Sequence, residues 1–196
     1  MASILRLDNW QNSDGTSIAT TDASGNISFA GAGAGKILQV VSTTLSTVYS
    51  ASVAGFSTTA TIPGLTATIT PSDATSKILV MLNVTGHVQQ FGAMPIRLMR
   101  DTTHIGGGTA SGSMPSMTYH SVCGDAGLGN GSIGTALQIS GHYLDSPATT
   151  SATTYGIQIY NFSSATYTIA INETYYYTTA SNPRSSSMIT VMEVAA

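Results

Sequence analysis

Apolar and polar residues in this chain alternate with a period of two. Tyr155, Ile157 and Ile159 are interleaved with Gly156, Gln158 and Tyr160, and Tyr167, Ile169 and Ile171 with Thr168, Ala170 and Asn172. A two-residue period puts successive side chains on opposite faces of a strand, one against a core and one in wetter surroundings. No stretch of a dozen residues carries apolar positions at the helical spacing. The runs that read as strands cover residues 36–41, 65–70, 77–84, 95–101, 136–144, 154–160, 166–173 and 188–194. Turn-forming clusters separate them, as in a sandwich or barrel.

Two of these runs break the alternation. Ile78-Leu79-Val80-Met81-Leu82 is apolar throughout, and Met188-Ile189-Thr190-Val191-Met192 nearly so. Such strands are expected to be covered on both faces, and in a two-layer sandwich the outer cover comes from another chain or a long loop. Ile78, Val80, Leu82, Ile189, Val191 and Met192 are therefore the candidate oligomer interface.

The chain divides at a joint of small residues, Gly31-Ala32-Gly33-Ala34-Gly35. Residues 1–35 read as a hairpin-like arm. Asn12-Ser13-Asp14-Gly15 and Ser24-Gly25-Asn26 supply turns, and the segment is too short to hold a core. Its apolar positions Leu5, Leu7, Trp10, Ile18, Ile27 and Phe29 are the candidate anchor to a larger particle. Residues 36–196 read as one β domain, interrupted by a Gly-, Ser- and Met-rich excursion over 102–135 without strand periodicity. Long excursions of that kind are functional or mobile. Met114, Met117 and Tyr119 within it, with the cluster Tyr175-Tyr176-Tyr177, are the candidate receptor contact. The competing reading of these side chains is packing against a neighbouring chain.

Composition narrows the function classes. Charged residues make up 8% of the 196, against roughly 25% in an average globular protein, and Ser, Thr, Asn and Gly take their place. Such a surface suits a chain that sits against copies of itself. Six Lys and Arg in total leave no basic patch for nucleic acid. No apolar run reaches the ~18 residues of a membrane-spanning helix. The start Met1-Ala2-Ser3-Ile4-Leu5-Arg6 lacks the pattern of a signal peptide, so synthesis in a cytoplasm is expected.

Candidate chemistry is sparse. His87, His104, His120 and His142 have no metal-ligand spacing, although one histidine per chain on a symmetry axis would leave almost no trace in sequence. Cys123 is the only cysteine, so no internal disulfide forms; as a nucleophile it would need His120 or His142 as base, and its glycine-rich surroundings show no activating helix N-terminus. The stretch from Gly31 to Lys36 lacks the first glycine and the Ser/Thr of a phosphate loop. Asp14, Asp22, Asp73, Asp101, Asp125 and Asp145 sit in turn contexts, and no carboxylates pair in sequence as a glycosidase couple. The expectation is a non-enzymatic protein without metal or cofactor.

Four segments carry a resemblance to a family. They are Ile69-Thr70-Pro71-Ser72-Asp73-Ala74-Thr75-Ser76-Lys77-Ile78-Leu79-Val80, Arg97-Leu98-Met99-Arg100-Asp101-Thr102, Tyr143-Leu144-Asp145-Ser146-Pro147 and Ser187-Met188-Ile189-Thr190-Val191-Met192-Glu193. With them the chain resembles small virion structural proteins of tailed bacteriophages, especially marine ones, of the tail-fibre or fibre-like type. The stretch Thr21-Asp22-Ala23-Ser24-Gly25-Asn26-Ile27 is similar to their N-terminal attachment peptides. The resemblance implies an antiparallel jelly-roll sandwich, trimeric in the style of tumour-necrosis-factor and complement-C1q heads. It also implies a place on the virion surface, with the arm joined to another virion protein of the capsid or tail. Two tasks remain open: attachment to a host surface glycan or protein, and decoration or reinforcement of the capsid. No nucleic-acid or membrane partner is expected.

Overall fold

The computed structural model describes residues 9–21, 27–29, 36–88, 93–113, 115–122, 137–173 and 184–196, and every regular element among them is a β-strand. Three short strands, β1 (Asn9–Gln11), β2 (Ser17–Thr21) and β3 (Ile27–Phe29), pair antiparallel in that order. The turn read at 12–15 closes the first hairpin, where Asn12 Oδ1 accepts the backbone N–H groups of Asp14 and Thr16. Among the arm's described side chains only Ala19 is buried.

The head follows with β4 (Ile37–Leu45), β5 (Tyr49–Val53), β6 (Ser57–Thr58), β7 (Thr66–Ile69), β8 (Lys77–Val88), β9 (Ala93–Arg100), β10 (Thr103–Ile105), β11 (Tyr119–Val122), β12 (Leu137–Asp145), β13 (Thr153–Asn161), β14 (Tyr167–Ile171) and β15 (Ser187–Val194). Each head strand read from the sequence is present, with ends displaced by a few residues. The additional strands β5, β6, β10 and β11 are short and rich in hydroxyl residues. Two of them, β10 and β11, lie inside the excursion expected to be structureless. Both pair with β9, so the described part of that segment is built onto the sandwich.

The head is an antiparallel, jelly-roll-like sandwich. In the first sheet β8 has β12 along one side, and β15 and β14 end to end along the other. β4 and β5 lie outside those two. In the second sheet β9 and β13 form the centre, flanked by β10 and β11 on one side and by β6 and β7 on the other. Ile78, Val80, Leu82, Ile169, Ile189 and Val191 of the first sheet meet Ile69, Ile96, Leu98, Tyr155, Ile157 and Ile159 of the second in one core. The face read from alternation at 155, 157 and 159 is completely enclosed.

The end-to-end stacking leaves a break in the ladder where β14 stops and β15 begins. Asn172 fills it, in a left-handed conformation at φ +64° that Asn tolerates better than most residues. Its backbone N–H donates to Thr85 O, and its Nδ2 donates to Leu45 O and Thr47 O at 2.7 and 2.9 Å. The Ser187 hydroxyl donates to Asn172 Oδ1 and accepts the N–H of Thr85. Side chains thus replace missing backbone partners, which buried polar groups require.

Two carboxylates tie the layers at the end where the head begins. Asp145 closes β12 in the first sheet. One guanidinium nitrogen of Arg100 on β9 donates to both of its oxygens at 3.0 and 2.9 Å, and the Tyr155 hydroxyl on β13 donates at 2.7 Å. Burial, the hydrogen bond to Asp145 and that carboxylate's charge all push the Tyr155 phenol pKa up, so it remains a donor. The turn role read for Asp145 is thus replaced by an inter-sheet ionic latch. Glu193 on β15 is wholly buried. It accepts the Ser72 N–H and hydroxyl at 2.8 and 2.6 Å and the Gln39 amide at 2.6 Å. Burial alone would raise its pKa. The Ser72 hydroxyl, the Gln39 amide, the nearby Ser76 hydroxyl and the Ser72 N–H outweigh that and lower it to about 2. Among the described residues Ser76 Oγ is the one buried side-chain oxygen without a hydrogen-bond partner.

Asp145→Ala should lower unfolding free energy by about 2–3 kcal/mol, and Tyr155→Phe by about 1 kcal/mol, in urea titrations. The first value falls below the full cost of breaking a buried pair because the Arg100 side chain is 27% exposed. Glu193 has a depressed folded-state pKa, so its contribution is complete above its unfolded value near 4.5 and is lost as pH falls towards 2. Between pH 4.5 and 2, the decline of stability with acid should be shallower in Glu193→Gln than in the parent protein.

Candidate functional site

In a two-layer sandwich the inner faces cover each other, and the outer faces show what the chain leaves for solvent or a partner. The outer face of the first sheet follows from register. Val40 pairs with Met192, which pairs with Leu79, which pairs with Leu144. The next row is Ser42, Thr190, Met81 and His142, and the next Thr44, Met188, Asn83 and Ser140. Val40 is 55% exposed, and Met81, Leu144 and Met188 are between 43% and 49% exposed. No Asp, Glu, Lys or Arg occurs in these rows; Lys77 stands at their edge.

Two pairs of polar side chains on this face partner each other. Ser42 Oγ and Thr190 Oγ1 lie 2.8 Å apart, and Gln138 Nε2 donates to Asn83 Oδ1 at 3.0 Å. Covering them leaves fewer groups unsatisfied than covering an ordinary polar surface. Met81, Leu82, Asn83, Ser140, Gly141, His142, Met188, Thr190 and Met192 line a shallow groove of about 440 Å³ in the middle of the face. From strand spacing and rise the face measures roughly 19 by 23 Å, about 400 Å². Half of its positions are apolar, and the largest apolar patch of a monomeric protein, typically about 300–600 Å², is often a functional contact surface.

The residues read as an oligomer interface divide on this geometry. Ile78, Val80, Leu82, Ile189 and Val191 point inward and are enclosed by the chain's own second sheet. Met192 points outward. The uncovered apolar set is Val40, Leu79, Met81, Leu144, Met188 and Met192. An uninterrupted apolar run does not reveal which half of it turns inward, and that half is fixed by pairing register. In the arm, Trp10 and Ile27 are 57% and 63% exposed and Ile18 38%. Phe29 lies in β3, and Leu5 and Leu7 lie outside the described residues.

Of the candidate receptor contacts, Met114 and Tyr175 to Tyr177 also lie outside the described residues. Met117 is half-buried, and its carbonyl accepts the Gly108 N–H. Tyr119 on β11 bridges the two sheets. Its hydroxyl donates to His142 O at 2.6 Å, and its ring lies so close to Gly141 that a Cβ there would sit 2.6 Å away. Burial, followed by neighbouring Tyr143, raises its pKa. These contacts are those of a packing residue.

The histidines occupy separate environments. His87 is buried, with Nδ1 3.0 Å from Glu173 O, and burial lowers its pKa. His104 Nε2 lies 3.0 Å from Thr118 Oγ1. The Thr118 hydroxyl directs its own hydrogen to Ile105 O, so the imidazole is the donor and is not placed to act as a base on that hydroxyl. Burial, then the Arg97 charge, lowers the His104 pKa. His120 is exposed on β11, and His142 on the outer face. Among the described residues no three His, Cys, Asp or Glu side chains converge as a metal site.

The four segments that carry the family resemblance meet in pairs. Arg100 and Asp145 form the latch, and Ser72 and Glu193 the clasp. Comparison with known proteins yields no family model that matches the chain and no curated relative.

Proposed function

We propose that this chain is a structural, non-catalytic protein of a bacteriophage particle, a trimeric knob held by its arm and displayed on the virion surface as a fibre that contacts the host. The observation that carries the reading is the uncovered outer face of β4, β15, β8 and β12, apolar in half its positions and without formal charge in its central rows. In a closed ring of three, one part of each copy's face meets a different part of the next copy's, and with no charge of either sign in the central rows none of these meetings is repelled. Among the described residues the buried carboxylates, Asp145 and Glu193, serve to fasten strands, the chemistry of a scaffold. About 400 Å² of flat sheet is short of the ~800 Å² per partner of a standard interface. The exposed apolar side chains of the arm supply further area for copies or for the particle.

Light scattering on the purified protein should give three times the 20.1 kDa chain mass. Met81→Lys puts a charge in the central row, and it should give a folded monomer with the parent circular-dichroism spectrum. A parent protein that runs as a monomer overturns the trimer. Deletion of residues 1–35 should leave a folded head that no longer joins the particle, measured as occupancy on purified virions. Normal occupancy of the truncated chain overturns the anchoring role. A reconstruction of the particle that places the knob on the capsid lattice rather than the tail would favour the decorating role over host contact.

A further inference from the structure

Among the described head residues, the exposed large apolar side chains all lie in β4, β8, β12 and β15, the strands of the outer face, with one exception. The exception is Phe56, 64% exposed at the turn between β5 and β6. Its backbone is left-handed, φ +54°, a region that bulky side chains avoid. Exposure and strain both disfavour phenylalanine here, yet the turn is held in place on every side. The Phe56 N–H donates to Ser163 O at 2.9 Å. Gly55 presses against the opposite loop, where an added Cβ would stand 2.3 Å from Ser164 O. Beneath them the wholly buried Asn161 gives its Nδ2 to Val53 O and Ala165 O at 2.8 Å, with Ala54 O at 3.3 Å, and its Oδ1 accepts the Ser163 N–H. Residues held in disfavoured backbone regions by such surroundings cluster at ligand clamps.

The geometry points to Phe56 as a stacking platform for a neutral sugar ring of a host surface glycan. The inference rests on the display reading above and names the partner and the site. Among the described residues no other exposed large apolar side chain of the head lies off the outer face, and a single exposed ring does not by itself supply the contiguous apolar area that a protein interface or a lipid surface needs. It does suit the C–H face of a pyranose, whose rim of hydroxyls needs polar neighbours. Ser57, Ser164 and Thr166 are exposed beside the turn. Segments 49–68 and 161–172 contain no Asp, Glu, Lys, Arg or His, so nothing there selects for a charged sugar. Rigid presentation lowers the entropy lost on binding. Position agrees as well. Phe56 lies past the ends of β5 and β13, whereas Lys36, where the head begins, is bonded to Ala195 at the opposite end. A head anchored through its arm presents Phe56 outward.

The test uses the full-length protein on an array of neutral gluco-, galacto- and manno-oligosaccharides, with sialylated and sulfated glycans as controls. Melting temperature and mass are measured in parallel. Phe56→Asn keeps a residue that tolerates the left-handed turn and removes the ring. It should weaken binding of a neutral glycan at least tenfold, with melting temperature within a few degrees of the parent and mass unchanged. The inference is overturned if the parent retains no neutral glycan, binds only the charged controls, or is matched by the variant. A large fall in the variant's melting temperature also overturns it, by making Phe56 a packing residue. The mass and virion-occupancy measurements judge the display reading separately, since neither depends on the ring.

Discussion

A β-sheet has two faces, and a two-layer sandwich can cover only one face of each sheet. Most of this structure follows from that constraint. The inner faces are built from Ile, Val and Leu with Ala67, Met94 and Tyr155, and they close on each other. The outer face of the first sheet is almost as apolar as an inner face along β8 and β15, and the chain has nothing left among the described residues to place over it. Burying such a surface stabilises by roughly 25 cal/mol per Å², a strong drive towards association for a chain with so little charge to oppose it.

Scarcity of charge also decides what the polar groups do. With so few ionisable residues, each buried one has a specific partner. Asp145 joins β12 to β9 and β13 across the layers, and Glu193 draws the 70–72 turn onto β15 and β4. Amides do comparable work elsewhere: Asn172 bridges the break between β14 and β15, and Asn161 binds the loops around Phe56. The two carboxylate fastenings lie near the point where the arm joins, and the Asn161 fastening lies at the opposite end. The ends of the head are thus made rigid by different chemistry, ionic at the attached end and neutral at the far end.

The sequence by itself determined the fold class and the head strands with strong apolar character. Period-two alternation is a local property, and the chain displays it wherever one face is buried and the other is not. It determined the inward set at 155, 157 and 159 for the same reason. It also marked β8 and β15 as apolar, wholly or nearly so, in both of their alternating sets over 78–82 and 188–192. Only the tertiary structure decided which of their residues face out, because inward and outward sets exchange with a one-residue change of register and a run such as 78–82 is apolar in either. Only it showed Asp145 and Glu193 to be fastenings, since their partners Arg100 and Ser72 stand 45 and 121 residues away. β10 and β11 were illegible because their hydroxyl-rich residues acquire strand structure from pairing with β9. Phe56 gave one faint local sign, a bulky residue directly after a glycine in a Ser/Thr-rich turn. Its left-handed backbone and its exposure away from the other exposed apolar side chains of the described head residues exist only once β5, β6 and the 162–166 loop have come together.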